Sequence, residues 1–459
     1  MKNRIVSLLL ATMLVCAFLQ SIALSALASD TSVQMLVEPT MDYFIVGRFS
    51  EGLARVEKDG KCGFIDTTGK LVIPLEYDAD RYSHFSEGLA LVYKGGHYIA
   101  ASQRIMDGGK CGFIDKAGKV VIPLEYDGAT AFSEGLAAVQ KDGKRYLINQ
   151  NGDIIVALNT RYYYEKTGRS YEGLGIYPFS EGMAAVFKDD ECGFIDKTGK
   201  EVIPVGKYEY AWSPFSEGLA AVRQDDKFGF IDKTGEVVIP FEYDWAYSFS
   251  NGLVAVSNGD KCGVINKSGE VVIPFEYDSI GAFSEGLMSF EKDGEQGYMD
   301  ETGEVMISLD YKRAFVSFSG ESLSPFQNGY AIVHGMLDED PRSDIWEASM
   351  DMSSYEKWGV IDKTGKEVIP LEYDYISSFN DGVAVVFVGH ADFYHNHFVG
   401  NWGILQIEGY VAPPSASPIT VPPLSENSTA TFLIWLRYGV VLVVVLLLML
   451  LIVRKNENR

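Results

Sequence analysis

Positive charge is what this chain is short of. Its 459 residues hold 39 Lys and Arg against 63 Asp and Glu, a formal net charge of −24. Lys2, Arg4, Arg437, Arg454, Lys455 and Arg459 lie in the terminal segments, so the stretch between them is more acidic still. A negative field of this size repels nucleic acid and anionic lipid, and neither is expected to bind it. Basic peptides and divalent cations are compatible with it, and so is plain solubility. Enzyme signatures are missing too. There is no G-x-S-x-G, no P-loop and no CxxC, so no catalytic activity is expected. Long apolar runs are absent except near the two ends.

Those two runs place the chain. Lys2 and Arg4 precede the apolar stretch 5–24, and Ala26-Leu27-Ala28 fits a cleavage site before Ser29. Residues 1–28 therefore read as a secretory signal. Cys16 lies inside the run, but its early place and the preceding Val15 do not suit a lipoprotein signal. At the other end, residues 432–453 would rise roughly 33 Å as a helix, enough to cross a bilayer. Arg437 is near enough to its edge to reach the interface, beside Trp435 and Tyr438. Arg454 and Lys455 then keep the tail, 454–459, in the cytoplasm. Residues 409–431 hold Pro413, Pro414, Pro418, Pro422 and Pro423 among Ser and Thr, an extended stalk. The expectation is a single-pass cell-membrane protein with its N-terminal part outside.

That outer part is a repeat. A block of about 34 residues recurs nine times, each copy too small to bury its own apolar residues. Residues 215–244 give its form: FSEGLAAVRQDDKFGFIDKTGEVVIPFEYD. The copies begin at Phe49, Phe85, Phe132, Phe179, Phe215, Phe249, Phe283, Phe326 and Phe379. Three segments read as strands, 219–223, 228–232 and 236–243, short and rich in Val, Ile, Phe and Tyr. Asp-Lys-Thr-Gly is a hairpin closure with Gly235 left-handed, and Phe-Ser-Glu-Gly ends in a second recurrent glycine. Pro240 and its equivalents demand an edge or a bulge. Val238 and Ile239 precede it on opposite faces, which predicts that both faces are covered there. Propeller blades usually need four strands in 40 to 45 residues. The shorter copies therefore favour an all-β open superhelix of three-stranded antiparallel meanders, with a closed β-propeller as the alternative.

The motif resembles the WG-repeat family: F-x-x-G-L-A-x-V, an aromatic-Gly pair, I-D-x-x-G-x-x-V-I-P, then Y-D. The Trp-Gly pair stands at Trp358-Gly359 and Trp402-Gly403, with Cys, Phe228 or Gln296 replacing the Trp elsewhere. The resemblance spans 44–408. It implies a β-rich bacterial interaction module and brings no catalytic residues to carry over.

Candidate sites follow. Cys62, Cys111, Cys192 and Cys262 share one place in the repeat, where sheets stack about 10 Å apart, too far for a disulfide. They are expected to be buried thiols. Asp66, Asp115, Asp196, Asp232, Asp300 and Asp362 share another, and Asn149 and Asn266 replace them, which predicts turn stabilisation. No cofactor is expected. Ca²⁺ at the alternating pairs Glu76/Asp78, Glu125/Asp127, Glu242/Asp244, Glu276/Asp278 and Glu372/Asp374 is the weak candidate. Four insertions break the period, 93–109, 153–178, 337–357 and 389–401, and function in repeat folds sits in such loops. The last holds Asp392, His395 and His397, a weak zinc candidate in an exposed polar loop. The second holds Arg161, Tyr162, Tyr163, Tyr164, Arg169 and Tyr171, residue types favoured at binding hot spots. The function expected is a non-catalytic surface for a protein or carbohydrate ligand. A carboxylate-based glycoside hydrolase and a ligand-free envelope spacer are the alternatives.

Overall fold

A computed structural model describes residues 33–79, 83–99, 104–106, 109–158, 175–188, 191–309, 323–336, 356–392 and 397–408. These residues are all-β, with no helix among them. Nine small antiparallel sheets form a ring, a nine-bladed β-propeller. The closed alternative therefore replaces the open superhelix.

Blade five shows why the length argument failed. Its strands are Tyr210–Ala211, Leu219–Gln224, Lys227–Asp232 and Val237–Tyr243, hydrogen-bonded in that order. The last three are those expected. The first has only two residues, too few to show alternation, yet it completes a four-stranded blade. It recurs as Gly128–Ala129, Trp245–Ala246, Ser279–Ile280 and Tyr375–Ile376. Among the described residues blades four and eight show three strands, and in blade four an Ile176–Val186 bridge stands where the first strand would lie.

The ring closes through the start of the chain. Val33–Met41 pairs antiparallel with His397–Ile407 and becomes the fourth strand of blade nine. The array thus begins at Val33, before the expected 44. Trp402 Nε1 donates to the Tyr43 carbonyl at 3.1 Å, and the Gly52 N–H donates to Asp381 Oδ2 at 2.9 Å. The apolar core divides into nine clusters, one at each junction of successive blades. A linear stack of nine sheets has eight junctions. The ninth cluster joins Phe387, Trp402 and Ile404 of the last blade to Val46, Phe49 and Val56 of the first.

Blades converge at the axis and diverge at the rim. First-strand segments of neighbouring blades touch one another, whereas the fourth strand is the exposed edge. There Ile239 is fully buried but Val238 is 42 % exposed. The expectation that both faces are covered is corrected: only the isoleucine face is.

Two insertions are more regular than expected. Residues 153–178 open with Ile154–Ala157, the fourth strand of blade three. Residues 389–401 extend the last hairpin, whose pairing runs out to Asp392 and His397, so the expected loop is a β-arm.

The aromatic-Gly pair has a steric cause. Phe228 pairs with Tyr243 and Phe230 with Ile239, so Pro240, Phe241 and Glu242 bulge opposite Gly229 alone. A Cβ on Gly229 would lie 2.7 Å from the Ile239 carbonyl oxygen. At Gly63 and Gly359 the same approach is 2.3 and 2.6 Å. The obstacle is backbone, so it cannot swing aside. Gly229→Ala is expected to destabilise the protein by about 2–4 kcal/mol, read as a lower midpoint in guanidinium unfolding.

Candidate ligand-binding surface

The recurrent polar residues are first accounted for by the joints between blades. In Phe-Ser-Glu-Gly both central turn residues are left-handed, Glu217 at φ 53° and Gly218 at 86°. This is the two-residue hairpin geometry that suits strand twist. A left-handed glutamate costs about 1–2 kcal/mol, and its carboxylate supplies an offset. Glu217 Oε2 accepts the Gly252 N–H of the next blade at 2.9 Å and pairs with Lys267 at 3.0 Å. Ser216 Oγ donates to the Phe249 carbonyl at 2.8 Å, and Phe249 packs edge-on against Phe230. The pattern repeats at Ser50, Glu51 and Lys116, and at Ser180, Glu181 and Lys233. Asp381 takes the glutamate's part where the ring closes.

The other acids are occupied likewise. Asp232 Oδ1 accepts the Thr234 and Glu236 N–H groups and the Thr234 hydroxyl, at 2.7–3.0 Å, and Asn266 does the same in its copy. The aspartate column therefore stabilises turns. The Glu-x-Asp pairs do not converge on a cation. Glu125 turns to Lys141, while Asp127 holds Lys110 and the Asp142 N–H of the next blade. Glu276 turns to Lys292, and Asp278 to Lys261 and the Asp293 N–H. Among the described residues no group of three or more His, Cys, Asp or Glu could hold a metal ion.

No disulfide joins the four cysteines. Cys62, Cys111 and Cys192 are buried as expected, but Cys262 is half-buried. Burial pushes the Cys192 thiol up, away from the reactive thiolate. The residues singled out for ligand binding, Arg161, Tyr162, Tyr163, Tyr164, Arg169 and Tyr171, lie outside the described residues. So does His395, and the side chains of Asp392 and His397 are likewise outside the description.

A different aromatic group is on view. One residue past the first strand, a backbone N–H donates to the second strand in six blades. The donors are Thr130, Tyr177, Trp212, Tyr247, Gly281 and Ser377. Thr, Gly and Ser show that the fold asks for no ring here. Blades four, five and six nonetheless place Tyr, Trp and Tyr, and add Tyr210 and Trp245 two residues earlier in blades five and six. The rings meet across the joints. The Tyr177 and Tyr210 hydroxyls lie 3.2 Å apart, and the Tyr210–Trp212 and Trp212–Trp245 centroids are 6.3 and 6.1 Å apart. Tyr177, Tyr210, Trp245 and Tyr247 are half-buried, and Trp212 is 37 % exposed. The result is a continuous aromatic arc across the axial ends of three blades. Its signal lay just after Tyr208-Glu209 and Tyr243-Asp244, in Tyr210-Ala211-Trp212 and Trp245-Ala246-Tyr247, where the copies diverge.

Comparison with known proteins places the chain. The family model described as "WG containing repeat" matches residues 30–62, 63–98, 112–144, 171–192, 193–228, 228–262, 263–295, 297–333 and 358–389. The chain belongs to the WG-repeat family. No curated protein matches this WG-repeat chain. Among solved structures it is similar to a eukaryotic initiation factor, at 12 % identity, 72 % of this chain, 87 % of that one and a TM-score of 0.46. It is also similar to apo AztD from Citrobacter koseri, at 13 %, 73 %, 94 % and 0.33, and to Kluyveromyces lactis Hsv2, at 9 %, 79 %, 98 % and 0.33. Likeness at this level says nothing of the ligand.

The joints are expected to make the WG-repeat propeller acid-sensitive. Lys267, with the Gly252 and Asn251 N–H groups, holds the Glu217 carboxyl below its usual range despite some burial. At Glu134, Glu181 and Glu285 burial pushes upward, but lysine and backbone N–H groups outweigh it. Lys110 and Lys227 lower Asp127 and Asp244. A depressed folded pKa gives stability that is present above the unfolded value and is lost as pH falls through the folded one. Urea unfolding should therefore show a plateau above about pH 5 and a steady fall below about pH 4. Glu217→Gln should be less stable than the parent at neutral pH, with the gap closing in acid.

Proposed function

We propose that this protein is a non-catalytic binding scaffold at the cell surface. In this reading residues 1–28 direct export and residues 432–453 hold the chain in the membrane with the propeller outside. The stalk 409–431 connects the two. The observation that carries the binding role is the aromatic arc. Half-exposed Tyr and Trp recur at a place where the other blades manage with Thr, Gly or Ser. Aromatic side chains of this kind offer large contact area at low entropy cost, as at binding hot spots. Tyr177, Tyr210 and Tyr247 also back onto the junction clusters, whereas Trp212 and Trp245 belong to none of them, and a spacer has no use for those two. A hydrolase would need a carboxylate pair set apart for chemistry, whereas the recurrent acids here are engaged by lysines and turn N–H groups.

The test is the double variant Trp212→Ala/Tyr247→Ser, screened beside the parent on peptide and glycan arrays. The expected result is loss of the parent's binding with a nearly unchanged thermal melt, because small residues already occupy the equivalent place elsewhere. Undiminished binding by the variant would contradict the reading.

A further inference from the structure

Taking the arc as a binding surface, the structure also bears on what binds it. We propose that the arc receives a basic segment of a partner protein, rich in arginine or lysine. The hairpin turns beside the arc place Asp225, Asp226 and Asp260 in the open, with no ion pair to them among the described residues. The nearby cations are already neutralised, Arg223 by Glu209, Lys227 by Asp244 and Lys261 by Asp278. An acidic surplus therefore borders the rings, on a chain of net charge −24.

The Arg223 guanidinium lies 6.0 Å from the Tyr210 ring centroid, with Nε 3.5 Å from Glu209 Oε2. One edge of the arc thus already holds a guanidinium between an aromatic ring and a carboxylate. A ligand's arginine would find ring and acid together at Tyr210, whose neighbour Glu209 takes the Asp225 N–H, and at Trp245, whose strand partner Ser257 lies three residues before Asp260. The rings do not form one platform. Tyr210 and Trp212 are inclined at 53°, Trp212 and Trp245 at 70°. Separate tilted faces suit successive cationic side chains better than a flat run of sugar rings.

The experiment uses the full chain and titration calorimetry. The probes are an alternating Arg-Gly peptide of about a dozen residues, its Glu-Gly counterpart and chitohexaose. Each is measured at about 0.05 and about 0.5 M salt. The expected result is binding of the Arg-Gly peptide alone, weakened about tenfold or more by high salt. Trp212→Ala should weaken it by a similar factor. So should Asp225→Asn/Asp226→Asn, a change that keeps left-handed turn geometry accessible and guards against a misfolded tryptophan variant. Chitohexaose binding that Trp212→Ala abolishes would overturn the basic-segment inference and leave the binding role of the arc standing. Arg-Gly binding that both variants leave intact would overturn the inference by moving the contact elsewhere. Failure of every probe to bind would also overturn it, and the array screen would then stand alone as the test of the binding role.

Discussion

The joint between successive blades is the interaction on which everything else rests. No blade of this protein encloses a core. Each apolar cluster straddles a junction, with the large residues of one blade, such as Phe194 and Tyr208, set against Ala211, Ala220 and Val222 of the next. The Phe-Ser-Glu-Gly turn fastens the junctions on both sides of its blade. Its phenylalanine packs on the preceding blade, while its serine and glutamate reach the following one. This explains why a charged residue keeps a left-handed conformation. Its strain is local, whereas its carboxylate ties two blades together.

The aromatic-Gly pair plays a complementary part. The rim strand has to bulge to carry proline, and the bulge drives the Ile carbonyl into the space of a side chain at the glycine. The residue beside that glycine is freer. Cys62, Phe228, Gln296 and Trp402 all fill its place, because the junction cluster asks there only for bulk of some kind. The buried thiols are packing residues, and the carboxylates are fasteners.

Much of this was legible in the sequence, and the omissions have physical reasons. Strands such as Leu219–Gln224 and Lys227–Asp232 announce themselves by β-branched and aromatic residues between glycine turns. The aspartate column gave itself away through Asn149 and Asn266. A two-residue strand such as Tyr210–Ala211 carries no periodicity, so each blade looked one strand short and the ring looked open. Closure was hidden for a related reason. Val33–Met41 belongs to blade nine, far away in sequence, and precedes the first Phe-Ser-Glu-Gly turn, although Val33, Met35 and Val37 alternate as a strand should. The arc lies outside the four insertions: Trp245 interrupts the period by identity alone, and Trp212 sits in a segment only one residue longer than its copies.

Ring closure by the N-terminal strand is the claim most directly open to measurement. Hydrogen exchange can be followed on the full chain and on one lacking residues 33–41. The account predicts a single cooperative unfolding unit in the full chain. Without the strand, protection should fall in Val383–Asp392 of the last blade and also in Leu53–Lys58 of the first, which meet at the same cluster. Unchanged protection in both segments would contradict it.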